Sequence, residues 1–207
     1  QLEAGHANSL WQMDFSRSKY IQLRGYDDAR GDYLLEVTSK QLSYKDPSGA
    51  FRTWYAAVVD DCTRVRLARM YAATGESGLL GLDFLTWCWT RDEDAHPMRY
   101  VPHVLQTDAG AFARSQVVGE ALDALGDATT LVTASKEEQG KVERSFRTLW
   151  QRFELPMAVE YGEGYTLHLA DLNDLLMEWT LSEMQQAHPR RRGVTRRQLY
   201  TRHLRQH

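Results

Sequence analysis

The sequence predicts an α/β fold in which antiparallel strands come first and parallel strands that alternate with helices follow. Two observations predict this class. In the first part of the 207-residue chain, short runs rich in aromatic and β-branched residues are separated by turns, which is typical of an antiparallel meander. From residue 79 onward, segments with the 3.6-residue period of a helix alternate with short extended segments, an order typical of parallel strands.

The antiparallel part begins with a strand that alternates strictly between its two faces. Gln12 and Asp14 share the face opposite Trp11, so this strand is half-buried and carries a carboxylate near its end. A composition typical of a turn follows at 45–49, before the next aromatic run. The predicted extended segments of this part are 10–15, 33–39, 51–60 and 65–71.

The second part contains the longest amphipathic pattern of the chain, at 141–153. Its apolar residues recur at helical spacing and form one stripe that needs to be buried. Gly126 supplies the end of the helix that precedes the last predicted strand. The predicted elements of this part are helix 79–89, strand 103–108, helix 115–125, strand 129–133, helix 141–153 and a last helix near 171–186.

Composition excludes several classes of protein. With 43% hydrophobic and 26% charged residues the chain is neither disordered nor collagen-like, and no apolar run approaches the ~20 residues of a membrane span. Cys62 and Cys88 lack the spacing of a zinc site or a redox pair. Because no secretory signal is present, we expect a soluble intracellular domain. The chain opens with Gln1 rather than Met, so we expect a piece of a longer protein.

Charge is segregated along the chain. The net charge of −3 divides into +7 for 188–207, which holds seven arginines and no acid, and −10 for 1–187. The negative charge of residues 1–187 is not typical of a nucleic-acid-binding protein. The positive charge of residues 188–207 is typical of one. Two interpretations of this segment stay open: a solvated basic tail and a nucleic-acid contact.

Three acids lie where predicted elements begin or end. Asp14 is at the end of the first strand, Asp108 at the end of the first parallel strand, and Glu143 in the first turn of the long helix. If the two strands are neighbours, their carboxylates meet at one edge of the sheet. Clustered carboxylates repel one another unless a divalent cation such as Mg²⁺ binds them. The alternative is structural: the aspartates form turns, and Glu143 pairs with Arg147.

Three segments resemble, in chain order, the three acidic motifs of the DDE transposase and retroviral-integrase catalytic core. They are Trp11-Gln12-Met13-Asp14, Gln106-Thr107-Asp108-Ala109-Gly110-Ala111-Phe112 and Gln139-Gly140-Lys141-Val142-Glu143-Arg144. The resemblance covers 9–153, roughly seventy per cent of the chain. Residues 146–149 most resemble bacterial transposases of the phage-Mu and IstA-like kind. Two details depart from the family: the second and third acids are one residue closer together than is commonest, and Ala109 stands where many members have asparagine.

The resemblance implies an RNase H-like fold: a five-stranded mixed sheet, with three antiparallel and then two parallel strands, flanked by helices. It implies that Asp14, Asp108 and Glu143 are catalytic and bind two Mg²⁺ ions when DNA is bound, with Mn²⁺ as a substitute. The implied enzyme is a DDE-type DNA transposase, a polynucleotidyl transferase. It cuts a transposon end to leave a 3′-hydroxyl and transfers that hydroxyl to target DNA.

Basic residues surround Glu143, and a site rich in acids needs nearby cations to hold a polyanion. Because the family uses basic residues on this helix to bind DNA, the resemblance favours these cations as DNA contacts. The alternative is a solvated face whose arginines pair with neighbouring acids. We predict that Gly140 is a hinge that lets the preceding loop open for DNA. The predicted DNA contacts are Lys136, Lys141, Arg144 and Arg147.

The resemblance also implies partners. These are transposon-end and target DNA, further copies of the full-length protein assembled on DNA, and accessory transposition proteins, with no membrane. We expect a bacterial, cytoplasmic protein that is associated with the nucleoid when bound to DNA. Two other functions stay open: a catalytically inactive transposase-derived domain for DNA binding or assembly, and another RNase H-like nuclease such as a resolvase.

Four regions are predicted along the chain. Residues 1–8 are the remnant of an N-terminal linker, 9–155 are the catalytic core, and 156–187 are a C-terminal helical extension of that core. Residues 188–207 are an arginine-rich tail or linker to a missing C-terminal domain. Within the core, we expect 22–50 to pack along the edge of the sheet.

Overall fold

A computed structural model describes residues 4–42, 50–91, 96–126, 129–133 and 140–204. The turn predicted at 45–49 lies outside these ranges. None of the helices in the described ranges combines the length and the apolar character needed to cross a bilayer. In chain order the elements are β1 (Leu10–Arg17), β2 (Ile21–Asp27), β3 (Asp32–Val37), β4 (Arg52–Asp60), β5 (Arg66–Ala73), α1 (Gly78–Trp89), β6 (Val104–Thr107), α2 (Gln116–Ala124), β7 (Thr130–Thr133), α3 (Gly140–Leu149), a π-helical turn (Trp150–Glu154), α4 (Leu155–Tyr161), β8 (Thr166–His168), α5 (Leu169–Met184) and α6 (Arg196–Leu204).

The main sheet has five strands in the order β5-β4-β1-β6-β7. β1 runs antiparallel to β4, and β4 antiparallel to β5, whereas β6 runs parallel to β1 and β7 parallel to β6. This arrangement confirms the predicted α/β class and the predicted mixed sheet, with three antiparallel and then two parallel strands. Asp14 therefore lies on the central strand.

Two separate apolar clusters join the helices to this sheet. In the first, Trp11 of β1 packs in the same cluster as Phe84 of α1. In the second, Ala57 of β4 packs in the same cluster as Phe146 of α3. Asp14 is paired with Ala57 across the β1–β4 ladder, and directly paired residues share a face of a sheet. The face of β1 that carries Asp14 is therefore the one that α3 covers.

A second, three-stranded sheet has the antiparallel order β2-β3-β8. The segment 33–39, which was predicted as a strand of the meander, forms β3 at the centre of this small sheet. It does not join the main sheet because both of its edges are already paired. The described part of 22–50 also differs from the expected packing along the sheet edge. β2 instead meets the beginning of β4, where the Thr53 hydroxyl donates to the Ile21 carbonyl across 2.6 Å.

The helix predicted over 141–153 is longer than its apolar pattern indicates. α3 continues through the π-helical turn into α4, and within this turn the Leu155 N–H bonds the Trp150 carbonyl. Glu154 is fully buried there, and its Oε2 accepts the backbone N–H groups of Lys19 and Tyr20 across 2.9 Å each. Its carboxylate therefore fastens the end of the turn to the connection between β1 and β2.

Residues 188–204 pack onto the core instead of extending from it as the predicted tail. Leu199 and Tyr200 of α6 are buried, and the Tyr200 hydroxyl donates to Asn8 Oδ1 across 2.5 Å. Arg196 pairs with the buried Glu183 of α5 across 3.1 Å. The arginines of this segment therefore include some that stabilise the fold, as Arg196 does, and others that are exposed.

Candidate active site

Asp14 and Asp108 lie side by side on two neighbouring parallel strands. The register of β1 and β6 pairs Gln12 with Gln106. Continued for two residues, it places Asp108, which directly follows β6, beside Asp14. Neighbouring strands are about 4.8 Å apart, so the two carboxylates share one edge of the sheet. The prediction that the two strands are neighbours is confirmed.

The surroundings of Asp14 disfavour its negative charge. Its pKa is raised to about 7, and burial is the largest cause. The negative charges of Asp108, Glu76 and Glu143 add to this effect. The Phe15 N–H, which donates to Asp14 Oδ1 across 2.8 Å, opposes it. A bound cation would relieve the repulsion that the neighbouring carboxylates exert on Asp14.

A tight turn fixes the carboxylate of Asp108. The Gly110 N–H donates to Asp108 Oδ1 across 2.9 Å. A Cβ atom built on Gly110 would lie 2.6 Å from the same oxygen, closer than such atoms normally approach. The turn therefore requires a residue without a side chain at position 110 if the Asp108 carboxylate is to keep this orientation.

Glu143 is brought toward the aspartates by the way α3 is attached to β1. The side-chain Oε1 of Gln12 accepts the Lys141 and Val142 N–H groups across 3.3 Å each. These are among the first N–H groups of α3, which have no acceptor within the helix. Gln12 thus fastens the helix start within two residues of Glu143, which is exposed and whose charge contributes to the raised pKa of Asp14.

Glu76 is a fourth carboxylate near this edge, and the sequence reasoning did not identify it. It is half-buried, and its pKa is raised by burial first and by the charge of Asp108 second, against a lowering by Arg114. The direction of the strands could have indicated the position of Glu76. β5 runs parallel to β1, so the residues that follow β5 return to the edge where Asp14 and Asp108 lie.

The predicted DNA contacts differ in their exposure. Lys141 is buried, with its ammonium group bound by the Asp61 carboxylate and, across 3.0 Å, by the Asp61 carbonyl. This corrects its proposed role, because a buried, paired ammonium group does not face a DNA phosphate. Arg144 and Arg147 are exposed on α3. Lys136 lies outside the described residues.

Gly140, the predicted hinge, is the first residue of α3. Among the described residues, a Cβ atom built there would meet only the Arg144 guanidinium, at 3.8 Å, so their packing does not require a glycine. The Arg144 Nε donates back to the Gly140 carbonyl across 2.6 Å. Gln139, the neighbour with which the hinge was predicted to act, lies outside the described residues.

The donor set suits a hard divalent cation. Within the described ranges, no three His, Cys, Asp or Glu side chains are arranged to hold one ion together. Asp14 and Asp108 form the adjacent pair, and Mg²⁺ characteristically takes one or two carboxylates and completes its shell with water and substrate oxygens. The residues present therefore fit Mg²⁺ through the aspartate pair, with Glu143 on the adjoining helix.

The five-stranded mixed sheet with helices on its faces defines an RNase H-like fold. No protein-family model matches the chain, and no curated protein matches it. Several solved structures do. The chain is similar to the HTLV-2 integrase catalytic core domain in complex with magnesium, in its trimeric form, with a TM-score of 0.59 and 16% identity over 95% of this chain and 99% of that chain.

The dimeric form of the same HTLV-2 domain gives a TM-score of 0.53 and 16% identity over 95% of this chain and 98% of that chain. A chain of the simian T-cell lymphotropic virus intasome in complex with PP2A regulatory subunit B56 gamma gives a TM-score of 0.61 and 18% identity. That match covers 96% of this chain, which spans 56% of the length of the intasome chain. At these identities the likeness is one of fold, and it is a likeness to integrase catalytic cores.

Proposed function

We propose that this chain is the catalytic core of a DNA transposase or integrase, a polynucleotidyl transferase that cuts the ends of a DNA element and joins them to target DNA. One observation carries the proposal. Asp14 and Asp108 occupy adjacent positions at one edge of an RNase H-like sheet, and the start of α3 holds Glu143 toward the same edge. The resemblance of residues 146–149 to bacterial transposases favours the bacterial branch.

The proposed cofactor is Mg²⁺, which the Asp14 and Asp108 pair would hold, and Glu143 on the adjoining helix is proposed as a further ligand once DNA is bound. The magnesium in the similar HTLV-2 domain supports this assignment. When bound, two such ions stabilise the attacking and leaving oxygens of an in-line phosphoryl displacement.

The protein residues supply position and charge. The Gly110 N–H keeps the Asp108 carboxylate in one orientation, and Gln12 keeps the start of α3 against β1. Arg147, exposed on the same helix as Glu143, would hold a DNA phosphate near the scissile bond, and the exposed Arg144 is a second proposed phosphate contact farther around the helix. Because the proposed reaction requires little covalent chemistry from the protein residues, in-line positioning of DNA accounts for most of the proposed catalysis.

The proposed partners are transposon-end DNA, target DNA and further copies of this protein. The dimeric and trimeric forms of the similar HTLV-2 domain support self-association.

The first experiment measures Mn²⁺ binding by electron paramagnetic resonance of the free ion. We expect the unmodified chain to bind Mn²⁺ and Asp108→Asn to lose that binding, since the adjacent pair is broken. Asp123→Asn is the matched control because Asp123 is exposed on α2, away from the site. Retained binding in Asp108→Asn, or no binding in any form, would contradict the assignment of the site.

A second experiment separates the proposed transferase from a plain nuclease. The unmodified chain is incubated with Mg²⁺, a labelled oligonucleotide with a free 3′-hydroxyl, and plasmid DNA. Joining of the label to the plasmid, lost in Asp108→Asn, is the expected result. Nicking without joining would indicate an RNase H-like nuclease, and Mn²⁺ binding without either reaction would favour an inactive DNA-binding or assembly domain.

A further inference from the structure

A basic pocket lies on the side of α3 away from Glu143. It has a volume of about 280 Å³ and is formed by the β4–β5 turn, α3 and the segment that joins α5 to α6. Among the described residues that line it, six are cationic and none is acidic. The cationic residues are Arg64, Arg66, Lys141, Arg144, Arg190 and Arg196. The ammonium group of Lys141 is already paired with Asp61, so the arginines are the groups that can bind a ligand.

Helix geometry separates this pocket from the carboxylates. At about 100° per residue, Lys141, Ser145 and Thr148 occupy one face of α3, and Glu143 lies roughly 150° around the helix from the middle of that face. A ligand in the pocket would therefore be on the far side of the helix from the aspartate pair. The pocket does not belong to the candidate active site.

Of the lining arginines, Arg66 is buried and Arg196 is largely covered, and both pair with the same carboxylate. Arg196 Nη1 lies 3.1 Å and Arg66 Nη2 3.8 Å from the same Glu183 Oε2. Arg152 lies 3.4 Å from the other oxygen of Glu183. Because the Arg152 side chain is 60% exposed, the covered part of this group, Arg66, Arg196 and Glu183, carries an excess of one positive charge.

Both guanidinium groups also have a donor that is not used. The Nε–H groups of Arg66 and Arg196 are buried and donate to no acceptor among the described residues. The Arg66 side chain is only 8% exposed, and its remaining contacts are the Ser145 carbonyl across 3.3 Å and the face of Trp179. A buried donor without a partner is costly, and so is an excess of buried charge. An anion in the pocket would reduce both costs.

The pKa of Arg66 agrees with this excess of charge. It is lowered to about 10, by burial first and by the positive charge of Arg196 second, while Glu183 raises it. Arg190 and Arg144 are exposed at the rim, where they can meet an entering ligand.

We propose that this pocket binds a phosphate group. Guanidinium groups match phosphate oxygens with paired hydrogen bonds, and several arginines around one small cavity suit a doubly charged anion better than a single carboxylate. The volume is near the lower limit of roughly 300 Å³ for small-molecule sites, so it accommodates one such group rather than a large ligand. The phosphate belongs either to the backbone of bound DNA or to a small phosphorylated molecule. The proposal does not depend on metal binding at Asp14 and Asp108.

The test is calorimetric titration of the whole chain with inorganic phosphate and with pyrophosphate, at constant ionic strength set with chloride. We expect Arg144→Gln/Arg190→Gln to bind these anions about tenfold more weakly or worse, because charged hydrogen bonds are lost. Arg192→Gln/Arg197→Gln is the matched control. It removes the same charge from exposed arginines outside the lining, and we expect it to bind as the unmodified chain does. Equal weakening in both double variants, or no binding above the chloride background, would overturn the proposal.

A buried variant adds an independent readout. Arg66→Lys keeps the charge and loses the planar fork, so we expect weaker phosphate binding at unchanged net charge. Its melting temperature in chloride buffer establishes that it is folded. A folded Arg66→Lys that binds phosphate normally would contradict a site built on Arg66.

Competition identifies the source of the phosphate. A short DNA duplex that displaces pyrophosphate from the unmodified chain indicates a phosphate of the DNA backbone. A duplex that binds and leaves pyrophosphate in place indicates a small phosphorylated ligand. Because neither titration contains a divalent metal, failure of this proposal is distinguishable from failure of the proposed transferase activity.

Discussion

The Gly110 N–H donates to the Asp108 carboxylate across 2.9 Å, and a Cβ atom at position 110 would lie 2.6 Å from the oxygen that accepts this bond. Gly110→Ala should therefore rotate the carboxylate without unfolding the protein. Groups that orient a metal ligand typically change metal affinity by 10–100-fold. We expect a loss of about tenfold in Mn²⁺ affinity, measured by electron paramagnetic resonance.

Gly119→Ala is the matched control for this change. Gly119 lies within α2, and a Cβ atom there meets nothing within 4 Å. Alanine favours a helix by up to about 1 kcal/mol over glycine, so this variant should be slightly more stable and should bind Mn²⁺ normally. Equal Mn²⁺ affinity in Gly110→Ala and Gly119→Ala would show that the turn at Asp108 does not position the carboxylate.

Lys141 and Arg147 lie on the same helix and should respond differently to substitution. Lys141→Met leaves the buried Asp61 carboxylate without its cation, which typically costs about 3–5 kcal/mol of unfolding free energy. Urea denaturation measures this loss. Asp61→Asn in the Lys141→Met background removes the uncompensated charge and should restore part of the stability. A stable Lys141→Met protein would contradict the structural role of the pair.

Arg147→Gln tests the exposed side of α3. Arg147 is exposed, so we expect the unfolding free energy to change by less than about 0.5 kcal/mol. If Arg147 contacts a DNA phosphate, the plot of log binding constant against log salt should lose about one unit of slope. Fluorescence anisotropy with a labelled duplex at several salt concentrations measures this. An unchanged slope would remove Arg147 from the proposed DNA contacts.

His96 makes stability depend on pH. Burial lowers its pKa to about 3, with the positive charge of Arg91 as the second cause. The unfolded chain therefore binds this proton first as the pH falls. The contribution of neutral His96 to stability is complete above pH 6.5 and declines by about 1.4 kcal/mol per unit between pH 6.5 and about 3. Urea denaturation at pH 7.5, 6.0 and 5.0 measures this slope.

His96→Asn is the variant that isolates this proton. His96 Nδ1 accepts the Met98 N–H across 3.1 Å, and an asparagine side chain accepts the N–H two residues on in the same way. The variant should lose the slope assigned to His96 while it keeps the local turn. Identical slopes in the two proteins would assign the acid sensitivity to other groups.

Leu199 tests whether 188–204 belongs to the folded core. It is 2% exposed, and burial of this kind makes a leucine-to-alanine change cost about 2–5 kcal/mol. Thermal and urea denaturation of Leu199→Ala measure the cost. If 188–204 were a solvated tail, this substitution would leave the unfolding free energy unchanged. An unchanged value would therefore show that the segment is a tail, as the sequence predicted.

The elements of the main sheet and the two aspartates were predictable because they depend on local information. Strict alternation in 10–15 and the helix–strand order after residue 79 predict the mixed sheet. Asp108 directly follows β6 as expected, whereas Asp14 lies within β1, which continues to Arg17 instead of ending near Asp14. The pairing of β3 with β8 was not predictable, because β8 has three residues and its sequence shows no periodic pattern. Lys141 has the sequence context of an exposed helix residue, and Asp61, its partner, lies 80 positions away.

The packing of 188–207 was also not predictable, because it depends on distant residues. Seven arginines without an acid indicate a solvated tail as long as the sequence is considered locally. The structure supplies Glu183, on the preceding helix, as the acid that pairs with Arg196, and it buries Leu199 and Tyr200 beneath the exposed arginines. The composition of a segment does not show which of its charges pair with distant residues.

The contact between Asn8 and Tyr200 joins positions 192 residues apart. Asn8 Oδ1 also accepts the Trp11 indole N–H across 3.0 Å, so α6 docks on the loop that leads into the central strand. During synthesis, β1 leaves the ribosome well before α6, because 192 residues separate Asn8 from Tyr200. Contacts of such high sequence separation form late and slow the search for the native state. The central strand of the sheet is therefore among the last elements to gain all of its contacts.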